Sequence, residues 1–548
     1  MAGHGGAAVA RVLQREGVTA LFTLCGGHIM SIYDGCLDLG IRVVDVRHEQ
    51  AAAFAADAYS RLTGRPGVAA VTAGPGITNA FTAIANAYRA QSPVVVLGGA
   101  APVGVTGKGA LQELDILAAL RPVTKWAVRV VSADRIVEAV STAFRVASSG
   151  VPGPVYVELP VDVLFSPVEI NEGTLPPGAP SRAPMPGPAG AVQAALALLA
   201  GAERPVALIG SQIRWSPEWP AAPEWAAALG VPVYTSGMAR GLMPPGHPWA
   251  FSRSRKQALA EADVVLVLGT PLDFRLNYGM SINYAASLVQ VDLDPAQLGH
   301  NRPAAVTMHA DPGTVLRQML ELRAQLPGGA PTQRREWQQA LQATEARALA
   351  KAQPGLAADS SPVDVLRLCA EVDAVLDDDA TIIGDGGDFV ATAAAWLRVR
   401  RYPAGWLDPG PLGTLGMGMG FALAAAVVRP GTQVAVMLGD GAAGLDLMEY
   451  EAALRQNLPF VAIVGNDGAW TQIRRGQIDM YGPERAVATG LSYAPYEKVV
   501  AGLGGHGEYV DDPRELRPAL QRAFASGKPA LVNVKLAPST LRAGAISI

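Results

Sequence analysis

Positions 434–441 of the 548-residue chain read VAVMLGDG, a short apolar run that leads directly into a Gly-Asp-Gly turn. A second apolar run, 460–464, leads into Asn466. Runs of this length predict buried parallel strands, and open α/β sheets bind ligands at the carboxyl ends of such strands. The carboxylate of Asp440, an amide oxygen and bare backbone at one sheet edge suit a Mg²⁺ ion that bridges to phosphate oxygens. The alternative is an ordinary strand-to-helix turn, since many of these also carry Gly and Asp.

The composition predicts a globular protein of about three domains. The 60 Gly and 42 Pro are spread along the chain, which favours many strand–helix turns over disorder. The 44 basic and 48 acidic residues nearly cancel and form no basic run, so we expect no nucleic-acid partner. Three cysteines without a metal-like cluster indicate a reducing compartment. With no signal peptide and no apolar stretch of about 18 residues, we expect a cytoplasmic protein without a membrane segment.

Two segments, 171–190 and 325–362, have the composition of linkers. They predict domains at 1–175, 185–345 and 355–548. Within each part, short apolar runs alternate with Ala-rich amphipathic stretches, which is the pattern of parallel sheets covered by helices. The predicted fold is therefore α/β, with three consecutive doubly wound parallel-sheet domains. The expected strands include 68–72, 94–97, 155–158, 206–209, 264–268, 288–291, 434–438 and 460–464.

The first part carries a carboxylate at an unusual place. Glu49 follows a predicted strand and opens an Ala-rich helix, where the simple interpretation is an acid that complements the helix dipole. Positions 71–79 read VTAGPGITN, a strand that runs into a glycine turn whose backbone can approach a flat ligand closely. His28 follows two glycines at the end of another strand, where an imidazole could transfer a proton near neutral pH. The alternative for His28 is a hydrogen-bonded structural histidine.

The middle part has strand ends that suit an adenine nucleotide. Gly210 and Ser211 follow one predicted strand, and Asp292 ends another, as in dinucleotide-binding folds. Arg240 would suit a phosphate. A structural domain that binds nothing is the alternative.

Together these patterns resemble the thiamine diphosphate (ThDP) enzymes over essentially the whole chain. Four separate motifs carry the resemblance: the GDG turn with Asn466, the segment around Glu49 with the 71–79 glycine turn, GDGGDF at 384–389 and GTLGMG at 413–418. Within the family the chain is similar to the acetolactate-synthase-like 2-hydroxyacyl-CoA lyases of the second type. The matching strings are CGGHI (25–29), GALQ (109–112), GMARGL (237–242), DFR (273–275), GDGGDFV (384–390), WLDP (406–409) and WTQ (470–472).

The resemblance implies ThDP and Mg²⁺ as cofactors. Glu49 would hydrogen-bond the aminopyrimidine ring in a dry site, and Leu415, where the family usually has Met, would wedge the cofactor into its bent form. Asp440, Asn466 and the backbone carbonyl of Gly468 would bind the metal. The other implied cofactor-binding residues are Gly27, Gly74, Asn79, Gly387, Asp388, Phe389, Gly413, Gly439, Gly441, Ala442, Ala469 and Trp470.

For the middle domain the resemblance implies FAD, as in acetolactate synthases, ADP, as in oxalyl-CoA decarboxylases, or an empty domain. ADP is favoured over FAD here, because the segment around Arg253 is similar to that of the decarboxylases and the lyases. The candidate nucleotide-binding residues are Gly210, Ser211, Arg240, Arg275, Asp292 and Asp311.

The implied reaction is cleavage of the C1–C2 bond of a 2-hydroxyacyl-CoA, through the ThDP ylide, to formyl-CoA and an aldehyde or ketone; the reverse is an acyloin-type condensation. Glu49, His28 and Gln112 are the catalytic candidates. Acetolactate synthases have a small residue at the position of His28. Acetolactate synthesis from pyruvate and a non-catalytic ThDP-fold subunit remain the alternatives.

The expected partners are an acyl-CoA substrate and further copies of the chain. The family's site lies between the first domain of one subunit and the third domain of another, so the resemblance implies at least a homodimer and favours a homotetramer. Residues 541–546 are a candidate for closing over the coenzyme A moiety, with an unordered tail as the alternative.

Overall fold

The computed structural model describes a chain organised around three six-stranded parallel sheets. The predicted class, three consecutive parallel-sheet α/β domains, is confirmed. The expected closing segment, 541–546, lies outside the described residues. Those are residues 2–170, 173, 175–178, 183–323 and 332–538.

In the first domain, a small antiparallel pair, β1 (Ala2–His4) with β8 (Pro167–Glu169), flanks the main sheet. The strands of the main sheet are β2 (Ala20–Thr23), β3 (Arg42–Asp45), β4 (Gly67–Val71), β5 (Val94–Ala100), β6 (Trp126–Arg129) and β7 (Val155–Pro160), in the order β3-β2-β4-β5-β7-β6. The helices are α1 (Gly5–Arg15), α2 (Met30–Asp38), α3 (Glu49–Thr63), α4 (Pro75–Arg89), α5 (Ile116–Leu120), α6 (Ile136–Ser148) and α7 (Val161–Phe165).

The middle domain has the strand order of dinucleotide-binding folds. Its strands are β9 (Pro205–Ile209), β10 (Val233–Thr235), β11 (Ala250–Phe251), β12 (Val264–Leu268), β13 (Ser287–Asp292) and β14 (Val306–His309), in the order β11-β10-β9-β12-β13-β14. Its helices are α8 (Ala189–Gly201), α9 (Ala221–Leu229), α10 (Arg255–Glu261) and α11 (Pro312–Arg323), and α12 (Thr332–Leu356) leads to the third domain.

The third domain repeats the strand order of the first. Its strands are β15 (Thr381–Asp385), β16 (Trp406–Leu407), β17 (Val434–Gly439), β18 (Val461–Asn466), β19 (His506–Val510) and β20 (Ala530–Lys535), in the order β16-β15-β17-β18-β20-β19. Its helices are α13 (Val365–Val375), α14 (Asp388–Trp396), α15 (Gly418–Val428), α16 (Asp440–Asp446), α17 (Glu449–Arg455), α18 (Thr471–Tyr481), α19 (Tyr496–Gly502) and α20 (Leu516–Ala525).

The apolar runs of the sequence coincide with strands. The run 434–438 lies in β17 and the run 460–464 overlaps β18, so Asp440 and Asn466 both stand at carboxyl ends of neighbouring strands. The three sheets fall within 20–160, 205–309 and 381–535. The domain limits given above stay predictions at the level of single residues.

In each main sheet, the strand that comes first along the chain (β2, β9 or β15) lies inside the sheet, and the strand order reverses beside it. A glycine follows each of these three strands. A Cβ on Gly26, after β2, would lie 2.3 Å from Thr72 Cβ, after the neighbouring β4. A Cβ on Gly210, after β9, would lie equally close to Thr270 Cβ, 2.3 Å away, after β12. The same crowding recurs in the third domain, where a Cβ on Gly386 would lie 3.0 Å from Gly439 N. Side chains are therefore excluded from the floor of each crevice where such sheets bind ligands.

The first and third domains share one hydrophobic core, because α3 packs on α15. Gly420 of α15 brings the two backbones together, and a Cβ there would lie 2.8 Å from Ala51 O. The rings of Phe54 and Phe421 meet edge to face, with centroids 6.1 Å apart. The alanine-rich face of α3 that the sequence showed is thus the surface that joins the two domains.

Arg61, near the end of α3, connects all three domains. Its guanidinium pairs with the buried Asp57 carboxylate, with both N···O distances at 2.7 Å. It also donates to Asp408 O of the third domain (2.5 Å) and lies over the Phe421 ring. The Arg61 carbonyl accepts a hydrogen bond from Arg214 Nε of the middle domain (2.7 Å). Removal of either member of such a buried ion pair is strongly destabilising, because it leaves the other charge uncompensated.

We expect Arg61→Met to lower the free energy of unfolding by about 3–5 kcal/mol, because it leaves the Asp57 carboxylate buried without its counter-charge. Urea unfolding followed by circular dichroism measures the change. Arg135→Met is the matched control, since Arg135 forms an exposed pair with Glu138, and its effect should stay within about 0.5 kcal/mol. Equal effects of the two substitutions would contradict the junction role of Arg61.

Candidate active site

The candidate groups of the first domain all lie on loops at the carboxyl ends of four adjacent strands. His28 follows β2, Glu49 follows β3, Gly74 follows β4, and Gln112 lies in the segment after β5. Gly27 stands next to His28 in an open position, with nothing within 4 Å of where its Cβ would lie. The fold therefore gathers the predicted residues of this domain along one sheet edge.

Glu49 is buried at the first turn of α3 and is 7% exposed. Asn79 Nδ2, from the second turn of α4, donates to Glu49 Oε2 (3.0 Å). His48 precedes it as the N-cap, where its Nδ1 accepts from Gln50 N (3.2 Å). Two residues predicted from separate motifs, Glu49 and Asn79, are thus hydrogen-bonded to each other.

His28 lies half-buried over the end of β4. Its Nδ1 is 3.2 Å from Thr72 Oγ1, and its Cβ packs so closely on Gly99 that a Cβ there would lie 2.5 Å away. Burial lowers the pKa of His28 below its usual value. The imidazole is therefore neutral near pH 7, the state in which it can accept a proton.

Gln112 adopts a left-handed backbone conformation (φ 61°), which is uncommon for a side-chain-bearing residue and is often found at functional sites. Its backbone lies against Gly74, where a Cβ would be 2.5 Å from Gln112 O. Glu113 holds the segment in this shape, because its carboxylate accepts from the backbone N–H groups of Gly107, Gly109 and Ala110. Sequence reasoning did not identify Glu113.

The candidate groups of the third domain follow four adjacent strands in the same way. Gly387 and Asp388 follow β15, the 413–418 segment follows β16, Asp440 follows β17, and Asn466 ends β18. Asp388 begins α14 and is paired with Arg475 of α18, with N···O distances of 2.9 and 2.6 Å. The start of α18 also covers Gly387, where a Cβ would lie 2.5 Å from Gln472 Oε1.

Asp440 and Asn466 meet at the turn 466–469. Asp440 Oδ2 accepts from Ala469 N (3.1 Å), and Asn466 Oδ1 accepts weakly from Gly468 N (3.3 Å). The Gly468 carbonyl, a predicted metal ligand, accepts from Leu491 N (2.7 Å) and has one lone pair left for a metal. The oxygens predicted to bind Mg²⁺ therefore belong to one compact turn and the neighbouring strand end.

Asn533 orients the Asn466 amide, which the sequence did not reveal. Asn466 Nδ2 donates to Asn533 Oδ1 (3.1 Å) and to Ala494 O (3.3 Å). Because the nitrogen is engaged there, the oxygen Oδ1 is left on the side of the 466–469 turn. Asn533 is itself held by Glu497 Oε2 (2.8 Å).

Four other predicted residues, Trp470, Gly441, Ala442 and Phe389, lie close in sequence or in space to the strand ends that carry Asp440 and Asn466. The Trp470 ring lies on Gly441, where a Cβ would be 2.3 Å from the ring. Ala442 is buried in the core shared by the first and third domains. Phe389 is buried against Gly465 in the second core of the third domain, so only its backbone can face a ligand.

The 413–418 segment is held by buried carboxylates from the third domain. Asp385 accepts from Gly416 N (3.2 Å) and Gly418 N (2.7 Å), and Asp446 accepts from Met419 N (3.1 Å). Burial raises the pKa of Asp385 to about 6. These bonds hold the backbone that follows the half-buried Leu415, which packs on the shared core. Gly413, before it, has a left-handed backbone conformation (φ 66°).

Glu449 links the third domain to the loop that carries Glu49. Both of its carboxylate oxygens accept from Arg47 N (3.0 Å each). Glu449 thus forms a contact between the third domain and the first. Burial raises the pKa of Glu449 to about 7.

Comparison with known proteins agrees with this arrangement. The family model described as "Thiamine pyrophosphate enzyme, N-terminal TPP binding domain" matches residues 3–119, and the corresponding central-domain model matches 192–319. The C-terminal TPP binding domain model matches 385–534. The chain belongs to the thiamine pyrophosphate (thiamine diphosphate) enzyme family.

Relatives with two different names within this family are similar to the chain. A "Probable acetolactate synthase" of Mycobacterium bovis is 43% identical and covers 98% of this chain and 96% of its own length. The "2-hydroxyacyl-CoA lyase 2" of Caenorhabditis elegans is 40% identical over 100% of this chain and 91% of its own. The human "2-hydroxyacyl-CoA lyase 2" is 39% identical over 100% and 92%. The chain is therefore a ThDP-dependent enzyme, and the comparisons leave the two named activities open.

The residues at the third-domain site fit the cofactor and metal of this family. Burial, reinforced by the nearby Asp467 carboxylate, raises the pKa of Asp440 to about 6. Asp440 accepts from the backbone N–H of Ala469 and Asp467 accepts from the Thr471 hydroxyl, both neutral donors, and a divalent cation would compensate the charge of these two carboxylates. The described part of the chain contains no group of three or more His, Cys, Asp or Glu side chains placed to bind a metal ion. The predicted donor set, with one carboxylate, one amide and one backbone carbonyl, is instead of the type that suits Mg²⁺.

The strand ends of the middle domain enclose a glutamine side chain that the sequence had not singled out. Gln212 Nε2 donates to Asp292 Oδ1 (2.6 Å) and to Gln91 Oε1 of the first domain (3.0 Å). Burial raises the pKa of Asp292 to about 6. Gly269 packs on this side chain, where a Cβ would lie 2.6 Å from Gln212 Cβ, and Gly210 packs on Thr270. Ser211 Oγ accepts from Met238 N (3.2 Å).

The charged nucleotide candidates of the middle domain have protein partners. Arg240 donates to Ala394 O (2.7 Å) and lies over the Trp406 ring, so its guanidinium faces the third domain. Arg275 pairs with Asp273 in its own turn. Asp311 caps α11 through Thr314 N (2.9 Å). Nucleotide binding by these residues stays a prediction.

None of the helices in the described ranges is both long and apolar enough to cross a lipid bilayer.

Glu449→Gln tests the buried carboxylate that joins the domains. The pKa of Glu449 is raised to about 7 in the folded state. Between about pH 4.5 and 7 the folded state therefore keeps a proton that the unfolded state has lost. As pH rises through this range, the free energy of unfolding decreases. We expect the substitution to flatten this fall in the free energy of unfolding, measured by urea unfolding at several pH values. Glu451→Gln, at a partly exposed position of the same helix, is the control. An unchanged slope in Glu449→Gln would contradict the assignment.

Proposed function

We propose that this enzyme is a 2-hydroxyacyl-CoA lyase that cleaves the C1–C2 bond of its substrate to formyl-CoA and an aldehyde or ketone. The observation that carries the proposal is the place of His28, a half-buried imidazole on the loop next to that of Glu49, hydrogen-bonded to Thr72. Burial lowers the pKa of His28, which favours the neutral form that accepts a proton. A group that accepts the proton of a 2-hydroxyl is what this cleavage needs. Relatives named 2-hydroxyacyl-CoA lyase 2 that align over the whole chain support it.

ThDP, when bound, would supply an electron sink for C1, which keeps the electron pair of the broken C1–C2 bond. His28 takes the proton of the 2-hydroxyl as the C1–C2 bond breaks and the C2–O bond becomes a carbonyl. A proton is delivered to C1, which leaves as formyl-CoA, so protons balance and no oxidant is required. Glu49 would bind the aminopyrimidine and Leu415 would pack against the bound cofactor, while Gln112 lies along the same sheet edge.

The cofactor's diphosphate and metal belong to the third domain in this proposal. Asp440, Asn466 and the Gly468 carbonyl would bind Mg²⁺. Backbone groups around Gly387 and Gly441 hold the phosphates, with α18 covering them. The half-buried Trp470 ring forms a wall of the site.

A homodimer is the smallest assembly we propose, with a homotetramer of two dimers in the cytoplasm. The site would lie between the first domain of one subunit and the third domain of its partner. Exposed apolar side chains beside both groups of loops favour such a contact. They are Leu111 (79% exposed) and Leu114 in the first domain, and Leu445, Met448 and Ile473 in the third.

Acetolactate synthesis from pyruvate is the second candidate. The 43%-identical relative named "Probable acetolactate synthase" favours it. This candidate would use the same Glu49 and Asp440, but it assigns no proton transfer from a substrate hydroxyl to His28. FAD in the middle domain would accompany it, whereas ADP or no nucleotide would accompany the lyase.

His28→Ala should lower the turnover of formyl-CoA release by about 10²–10⁴-fold, because the base of the cleavage step is lost. Binding of ThDP, measured by calorimetry, should stay unchanged. Straight and branched 2-hydroxyacyl-CoAs are the substrates, with formyl-CoA detected directly. His300→Ala, at an exposed position, is the control. Absence of formyl-CoA together with acetolactate from pyruvate would favour the second candidate, and full activity of His28→Ala would remove the role of His28.

Mixed dimers test the shared site. Chains carrying Glu49→Gln and chains carrying Asp440→Asn are each expected to be inactive. Co-expressed, they should regain about a quarter of wild-type activity, because half of the dimers are hybrids with one intact site of two. Glu49→Gln mixed with His28→Ala is the control, since both changes fall on the first domain and should not complement. Failure of the first mixture to regain activity would contradict a site between subunits.

A further inference from the structure

A single hydrogen bond fixes the His28 ring. His28 Nδ1 and Thr72 Oγ1 are 3.2 Å apart, and they follow β2 and β4, the two adjacent strands at which the order of the first sheet reverses. Within the described part of the chain, this is the only hydrogen bond of the His28 side chain, and it leaves Nε2 without a protein partner. The tautomer of a neutral imidazole is set by the bond that one of its nitrogens makes.

Thr72 is held rigidly enough to orient the ring. It follows the end of β4 and is 8% exposed. Gly26 packs on its Cβ, and a Cβ on Gly76 would lie 3.0 Å from its methyl group. Both glycines crowd the threonine, so its χ1 angle and the position of its hydroxyl are fixed by packing.

We propose that Thr72 is a positioning residue whose hydroxyl oxygen accepts a hydrogen bond from Nδ1–H of His28 and so leaves the Nε2 lone pair free for the substrate. The proposal rests on the function proposed above, in which His28 accepts the proton of the 2-hydroxyl. With the opposite arrangement, in which Thr72 donates to Nδ1, the proton stands on Nε2 and the neutral ring has no free lone pair on its exposed side.

The hydrogen bond can persist through a turnover. When Nε2 takes the hydroxyl proton, the ring becomes a cation and Nδ1 still donates to Thr72 Oγ1. A bond from a charged donor is stronger than the neutral one, so the threonine stabilises the protonated ring. Nε2 then releases the same proton, and the ring returns to the Nδ1–H tautomer without rotating.

The tautomer can be read without any assay of activity. We expect solid-state ¹⁵N NMR of the ¹⁵N-histidine-labelled full chain at neutral pH to show His28 with a protonated Nδ1 and an unprotonated Nε2. The chain has 7 histidines, and the His28→Ala spectrum assigns the signal. In Thr72→Val, which keeps the shape of the side chain and loses the acceptor, the signal should divide between both tautomers. A wild-type ring protonated on Nε2 would overturn the proposal, as would an unchanged spectrum in Thr72→Val.

Kinetics provides the second test. Thr72→Val should lower the turnover of the lyase reaction by about three- to tenfold, with KM unchanged. This is the change in rate expected when the transition state loses one hydrogen bond. Thr72→Ser keeps the acceptor and should stay within about twofold of wild type. Equal losses in both variants would indicate a packing role and overturn the proposal. If formyl-CoA release is absent from the wild type while the expected tautomer is found, the proposed function fails and the orientation by Thr72 stands.

Discussion

The packing of α3 against α15 is the contact on which the candidate site depends. Alanine and glycine at the crossing let the two helices approach closely, and their shared core joins the first domain to the third. Glu49 stands at the first turn of α3, so the place of its carboxylate is set by both domains. Glu449 adds to this constraint, because it reaches from α17 to the backbone of Arg47. A buried carboxylate whose position is fixed is suited to a strong hydrogen bond with a ligand.

The sequence was sufficient for the architecture and for the ends of the strands. Apolar runs that finish in GDG or in Asn466 place those groups at a sheet edge by spacing alone, because the period and length of a strand are local properties. The bonds that orient these groups were not visible in this way. Glu449 lies 402 residues from Arg47, and Asn533 lies 67 residues from Asn466. Thr72, which meets His28, looked like the ordinary end of a strand, and no spacing rule connects the two.

Arg240 matches a sequence motif, but its guanidinium contacts protein groups that the motif does not specify. Its position suggested a phosphate ligand, yet the guanidinium stacks on Trp406 and donates to Ala394 O at the seam with the third domain. Burial lowers the pKa of Arg240, which reflects the cost of removing a charge from water. The aromatic face and the carbonyl offset that cost. A motif specifies a residue type at a position, whereas the direction of a long side chain depends on the neighbouring domain.

The crowded glycines Gly26, Gly210 and Gly386 have a consequence for how this chain can diverge. Each closes the bottom of a crevice against the neighbouring strand, and any larger residue there would push two strands apart. Substitutions that alter what the crevices accept are therefore easier to accommodate at their rims than at these glycines. The rim residues differ from domain to domain: an imidazole, His28, in the first, an amide, Gln212, in the second and a carboxylate, Asp388, in the third. The three crevices thus share a glycine at the floor and differ in the side chain two residues further along the chain.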